Sequence, residues 1–448
     1  MIILKKILNR RILILIISII LMSGFETISN AAEYNLIDIY RIAIEKSDRI
    51  QIAEDDLYIT QKGHDKIIAG MFPKLSATDM YLINAAPGQS SGQSSPLSVS
   101  INSVNLLSVT LEKGTSLGGA ELYAYKMTNI AIDKSEQDLK TVKADFLLDV
   151  STSFINILRA KKAVEINEAN VERLKKHRDA AMIRLKVGEV IKTALLRAEA
   201  ELSGAYTELV KAQNGLKLAK VIMASLIGIT DDYSIIETQE AVDFADTKTI
   251  AELKQETDQN RLEIKSLELT DKILEQNVNI AKSSFWPAIA LQLMYSHVNL
   301  NPAIPFLNPD GIYFGITASF PIFEGGLRLI ELDQAEANRK KASHALSYLK
   351  KSLQIEIENL YSQYLTQKEV LKAIEAQVAL AQDNYNLVSK QFDYGLVNNL
   401  EIMDANNLLS RSEAALSDAR YNYQLILMKL KHSTGVLLTE VEGKLGGK

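Results

Sequence analysis

The chain is written twice, and this constrains its fold more than any other feature. LGGAELYAYKMTNIAID, from Leu117, lies over EGGLRLIELDQAEANRK, from Glu324, so Gly118 and Gly119 fall on Gly325 and Gly326 at an offset of 207. The same offset pairs Gly188 with Gly395, Ala198 with Ala405, Leu202 with Leu409 and Gly228 with Gly435. Upstream, Phe72-Pro73 of GMFPKLSA matches Trp286-Pro287 of SFWPAIAL at an offset of 214. The first half therefore carries seven extra residues, in a segment containing PGQSSGQSSP, a loop composition that tolerates insertion. Both halves must then adopt one order of elements: helix, strand, loop, strand, long helix, turn, helix.

The long segments follow a heptad. Leu360, Tyr364, Gln367, Leu371, Ile374, Val378, Ala381, Tyr385, Val388 and Phe392 are spaced by alternating fours and threes. After the turn, Ile402, Ala405, Leu409, Ser412, Leu416, Ala419, Tyr423, Ile426 and Leu430 do the same. Such stripes predict helices packed in coiled-coil fashion along their whole length. Gly326 to Asp393 is 68 residues, a helix about 100 Å long at 1.5 Å per residue. Two such spines, turning at Gly188 and Gly395, make a pair of long hairpins that need neighbours from further copies.

Strand-like segments sit at the ends of these helices. In AIALQLMYSHV, Ile289, Leu291, Leu293 and Tyr295 alternate with Ala290, Gln292, Met294 and Ser296. In GIYFGITASF, Ile312, Phe314, Ile316, Ala318 and Phe320 alternate with Tyr313, Gly315, Thr317 and Ser319. This is the apolar-out, polar-in alternation of a membrane barrel strand. The first-half pair, around Lys74 to Ile83 and Val99 to Leu111, alternates less cleanly. Four strands cannot close a barrel of useful width, whereas three copies supply twelve.

The first residues read as a signal peptide: Lys5, Lys6, Arg10 and Arg11 precede Ile12 to Phe25, and small residues follow near Ala31. Its removal takes the formal net charge from −5 to −8, which argues against a nucleic-acid partner. The absence of cysteine excludes a disulfide framework, a cysteine-ligated metal and lipid attachment through an N-terminal cysteine. No later stretch is long and apolar enough to span a bilayer as a helix. The five histidines stand singly, the methionines do not cluster, and no nucleophile elbow or phosphate loop occurs in context. No cofactor, metal site or enzymatic activity is expected. KGTSLGG, from Lys113, reads as a bend between strand and helix.

The duplicated plan, FWP before a strand, SFPIFEGG leading into a long helix, the turn YGLVNNLEIMDA and ARYNYQ beyond it together resemble the TolC-type outer membrane factor family, over roughly Leu36 to Gly435. The resemblance implies a mainly α fold with a membrane β-barrel: a homotrimer whose four strands per protomer form a twelve-stranded barrel in outer membrane lipid above a periplasmic α-helical tunnel. It implies a passive exit duct for efflux or type I secretion, joined through a periplasmic adaptor to an inner-membrane transporter of RND or ABC type. The competing expectation is a secreted or periplasmic coiled-coil structural protein without a pore.

On this plan residues 1–31 are the signal peptide and 32–230 the first repeat, with strands about 74–111, long helix about 119–186, turn 187–190 and helix about 191–227. A linker, 231–249, leads to the second repeat at 250–435, with strands about 288–320, long helix about 326–393, turn 394–397 and helix about 398–432. Residues 436–448 are expected to form a flexible tail.

Glu401 and Asp404 are three apart, hence on one helix face, and each precedes a heptad position, Ile402 and Ala405. They flank the packed stripe and can point into a lumen. Acids early in a helix also complement its dipole, so this pattern alone leaves both readings open. The resemblance assigns them to an acidic pore constriction, sensitive to pH and divalent ions; the first-half equivalents are Ala194 and Arg197. It places adaptor contact at Val187, Gly188 and Glu189 and at Tyr394, Gly395 and Leu396. Trp286 marks either the membrane interface or packing under the barrel, and Tyr295, Tyr313 and Phe314 are candidates for the lipid-facing girdle.

Overall fold

The structure, a computed structural model, describes residues 32–83, 101–229, 233–237, 248–304 and 307–446. The expected signal peptide and the PGQSSGQSSP loop lie outside these residues. The elements are β1 (Ala32–Tyr34), α1 (Leu36–Lys46), α2 (Asp48–Met71), β2 (Lys74–Ile83), β3 (Ser103–Ser116), α3 (Ala120–Lys186) and α4 (Lys192–Ile227). They continue with β4 (Tyr233–Ile235), α5 (Ile250–Asn260), α6 (Leu262–Ser283), β5 (Ala288–Asn301), β6 (Asp310–Ser319), α7 (Leu327–Asp393), α8 (Asn399–Ser433) and α9 (Leu437–Gly446).

In the long helices the duplication is kept to the residue. α3 and α7 are each 67 residues long and start 207 positions apart. Each repeat opens with a capping box, Asn35 with Asp38 and Thr249 with Glu252, which satisfies the first free amides of α1 and α5. Each entry helix then breaks at an equivalent residue, Ser47 or Arg261, whose backbone is extended.

The strands form one antiparallel sheet in the order β2-β3-β5-β6. Each strand is joined to a helix, and the helices keep that order: α2 packs on α3, α3 on α6, and α6 on α7. Towards the turns, α4 and α8 replace α2 and α6, because α3 packs against both and α8 against α7. The chain is thus a sheet continued by a four-helix wall, with β2 and β6 as unpaired sheet edges.

Cross-strand partners share a face, so the register sorts the side chains. Leu75, Leu111, Leu293 and Phe314 form one row, and Ala77, Val109, Tyr295 and Ile312 the next. The opposite face carries Lys74, Glu112 and Gln292, then Ser76, Thr110, Met294 and Tyr313. In these rows, nearest the helices, one face is apolar and the other largely polar; farther along, Asp79, His297 and Asp310 join the first face and Met80, Leu106 and Val298 the second. Among the described residues no helix is long and apolar enough to cross a membrane.

The main core lies midway along α3, where Phe146, Leu147, Val150 and Ile157 meet Ile39 of α1, Met223 and Ile227 of α4, Tyr233 of β4, and Leu437 and Leu438 of α9. β1 pairs in parallel with β4, tying the start of the first repeat to the segment between repeats.

Three expectations need correction. Residues 437–446 are not a loose tail but helix α9, because Leu437, Leu438 and Val441 on one face are buried in this core. The strand expected to begin near Val99 and stop at Leu111 begins at Ser103 and continues to Ser116. Lys113 to Ser116 are therefore strand rather than bend: they pair with Leu291 to Ala288, and the corner itself is Leu117 to Gly119. At that corner Gly118 is required by contact, since a Cβ there would lie 2.5 Å from the Ser283 carbonyl oxygen.

Candidate entrance at the hairpin tips

Both long helices end alike. Gly188 and Gly395 have φ of +80° and +72°, a left-handed backbone that glycine adopts without Cβ strain. The Glu189 amide donates to the Arg184 carbonyl at 2.9 Å and the Leu396 amide to the Gln391 carbonyl at 2.9 Å. With Gly188 bonded to Leu185 and Gly395 to Phe392, each tip is a Schellman motif. The tip side chains Val187, Tyr394 and Leu396 are exposed.

The starts of α4 and α8 are brought together here. Asn399 Nδ2 donates to the Ala194 carbonyl at 3.1 Å, and Met403 packs against Ala198 and Ala181. Arg184 donates to the carbonyls of Phe392 and Asp393 and stacks over the Phe392 ring, 4.1 Å from its centroid. Two turns back along α3, His177 lies between Tyr385, whose hydroxyl is 3.0 Å from Nε2, and the edge of Phe392. Burial holds the His177 pKa below its ordinary value of 6.5, outweighing the pull of Asp393 in the other direction.

Glu401 and Asp404 are both exposed, while Ile402 and Ala405 beside them are buried. The Asn398 side chain caps the helix by accepting from the amides of Leu400 and Glu401, and its Nδ2 lies 3.4 Å from Glu401 Oε1. Glu401 thus has a local role in the first turn. Asp404 is a turn further on, where the dipole effect has faded, and no salt bridge among the described residues reaches it.

A network unannounced by the sequence holds α8 to α3. Arg173 Nε donates to Asn406 Oδ1 at 2.9 Å, and its Nη2 donates to Ser410 Oγ and Glu413 Oε2, both at 3.0 Å. Asn406, fully buried, donates in turn to Asn170 at 2.8 Å. The signal that could have found it is a run of polar residues on the packed side of two helices, where a coiled coil would place leucine.

The girdle candidates divide. Tyr295 and Phe314 share the apolar face, whereas Tyr313 stands on the polar face, its ring over Gly311. Adjacent strand residues point to opposite faces, so Tyr313 and Phe314 cannot both meet lipid. Trp286 is exposed at the corner between α6 and β5. Among the described residues no group of three potential metal ligands exists.

A sheet whose helix-side rows are apolar on one face and largely polar on the other is thus continued by a wall of long helices that turn at paired tips. Residues 253–436 match the family model described as outer membrane efflux protein. The chain is 22% identical to outer membrane protein TolC of Vibrio cholerae, spanning 90% of this chain and 91% of that one. It is 21% identical to outer membrane protein TolC of Escherichia coli, over 93% and 85%. The solved structure of the outer membrane protein VceC from Vibrio cholerae superposes with a TM-score of 0.74 at 16% identity, covering 89% of this chain and 96% of that one. Over residues 253–436 the chain thus resembles the outer membrane efflux protein family, and its fold is that of the solved outer-membrane channels.

Proposed function

We infer that the protein is a passive outer-membrane exit duct of a tripartite efflux or secretion system. The observation that carries this reading is the continuity of the two-faced sheet with the helical wall, each with two open edges. β2 and β6 present unpaired backbone groups that a bilayer cannot satisfy. Three copies joined β6 to β2 satisfy them in a twelve-stranded barrel with the apolar rows outward. The helical edges support the same assembly, with Val210, Leu218 and Ile222 exposed on α4 and Tyr348, Ile355 and Leu380 exposed on α7.

In that trimer the starts of α4 and α8 form the periplasmic entrance, and Glu401 and Asp404 supply six carboxylates near one level. Crowded carboxylates favour cations and oppose anions. The tips at Val187 to Glu189 and Tyr394 to Leu396 face a periplasmic adaptor, and an inner-membrane transporter supplies the energy, so this chain needs no catalytic group. Opening moves α4 and α8 outward, against the Arg173 network and the Asn399–Ala194 bond. Fractionation tests the reading: the protein should remain with the outer membrane and run as a trimer after detergent extraction. A soluble periplasmic rod would refute it and favour a structural coiled coil.

A further inference from the structure

We propose that Arg197 is a charge-selectivity determinant of the entrance, making its ring mixed rather than purely acidic. The inference rests on the duct reading and concerns the same site. Arg197 is the counterpart of Asp404 at the offset of 207, nine residues beyond its turn glycine as Asp404 is beyond Gly395. The next residue in each copy, Ala198 or Ala405, is buried at 1% or 4% exposure. Arg197 and Asp404 therefore stand at the same level and the same angle on equivalent helices.

The contacts bring these helices side by side. Asn399 reaches the Ala194 carbonyl, three residues before Arg197, and Met403, adjacent to Asp404, packs on Ala198. The groove between the tips is lined by both Arg197 and Glu401. Arg197 is exposed, and no salt bridge among the described residues engages it, so its charge faces the space the acids face. The start of α4 has no acid in its first turn, whereas α8 has Glu401.

Three protomers then place three guanidinium groups among six carboxylates, which halves the net charge of the ring from six negative to three. The entrance keeps a cation preference but a weaker one, and a carboxylate or phosphate on cargo meets a fixed arginine as well as the acids. Three cations about one Debye length from a conducting ion change its local concentration roughly 2.5-fold.

The test is the reversal potential of trimers in planar bilayers under a KCl gradient, for wild type, Arg197→Ala, Arg197→Lys and the Glu401→Ala/Asp404→Ala pair. Detergent-stable trimers are confirmed first, and Arg197→Gln replaces any variant that fails to assemble. Arg197→Ala should raise local potassium and lower local chloride, so the potassium-over-chloride permeability ratio rises roughly 6-fold, with Arg197→Lys near wild type. An unchanged ratio in Arg197→Ala, with a lowered ratio in the acid pair, overturns the role of Arg197 and leaves the entrance reading standing. If the acid pair is also unchanged, the entrance reading fails and this inference with it.

Discussion

Replacing Arg173 with alanine should release α8 from α3 and shift the duct towards its open form. The guanidinium serves three partners on α8, and their loss can be estimated one by one. Asn406 is fully buried, so its Oδ1 would lose its donor with no water to replace it, a cost of about 1–3 kcal/mol. Glu413 keeps 23% of its side chain exposed and loses a charge-assisted bond, about 1.5–3 kcal/mol. Even the lower ends sum to roughly 2.5 kcal/mol per protomer, about sixtyfold in the balance between docked and released α8. Arg173→Lys should recover part of this, since an ammonium keeps the charge but not the fork that reaches Asn406, Ser410 and Glu413 together. Single-channel recording reads the effect as a higher open conductance or longer open dwell times. A double cycle with Glu413→Ala should show coupling of about 1 kcal/mol or more, as contacting partners do. Intact trimers with wild-type conductance and dwell times would refute the claim that this network holds the inner helix.

Three further outcomes are expected. Glu401→Ala with Asp404→Ala should raise single-channel conductance and weaken block by multivalent cations; unchanged conductance and block would reject the assigned constriction. Because burial depresses the His177 pKa, the unfolded chain takes up its proton first as pH falls. The contact it supports between α3 and α7 should be full above pH 6.5 and weaken below it, by at most about 1.4 kcal/mol per pH unit. Amide exchange near residues 385–393 at pH 7.5 and 5.5 measures this, and His177→Phe should flatten the difference; an equal pH response in both proteins would count against it. Ending the chain at Val436 removes Leu437, Leu438 and Val441, each no more than 5% exposed, and should cost roughly 5 kcal/mol, read as a lowered thermal midpoint of the trimer. An unaltered midpoint would mean that α9 does not stabilise the core.

The large elements were legible because they repeat. The glycines at the helix ends and the FP and WP corners recur at fixed offsets, so the sequence alone locates both 67-residue helices to within a residue or two. What it hid is short or local. β1 and β4 are three residues each, too few for any period to register, and they pair only because the core brings them together. α9 lies beyond the end of the repeat and has no counterpart to align with, although Leu437, Leu438 and Val441 have helical spacing. The breaks at Ser47 and Arg261 carry no proline or glycine, so no local breaker announces them, and the capping boxes at Asn35 and Thr249, twelve residues before each, came from the structure. Glu401 and Asp404 were found by resemblance, and their exposure beside buried Ile402 and Ala405 follows from the heptad. Arg173 was missed because hydrophobic spacing says nothing of the polar partners a packed seam can contain.

The equal length of α3 and α7 sets an orientation as well as a distance. A helix advances about 100° and 1.5 Å per residue, so one residue removed from either would barely shorten the duct but would turn its tip through more than a quarter circle. Arg197 and Asp404 would no longer face the same space, and Asn399 would lose Ala194. Seven residues removed from both copies together would shorten the wall by about 10 Å and turn the tips only about 20°. The reach of such a duct across its compartment is therefore adjustable only in matched heptad steps, like two gear trains that must keep the same tooth count to mesh at the far end.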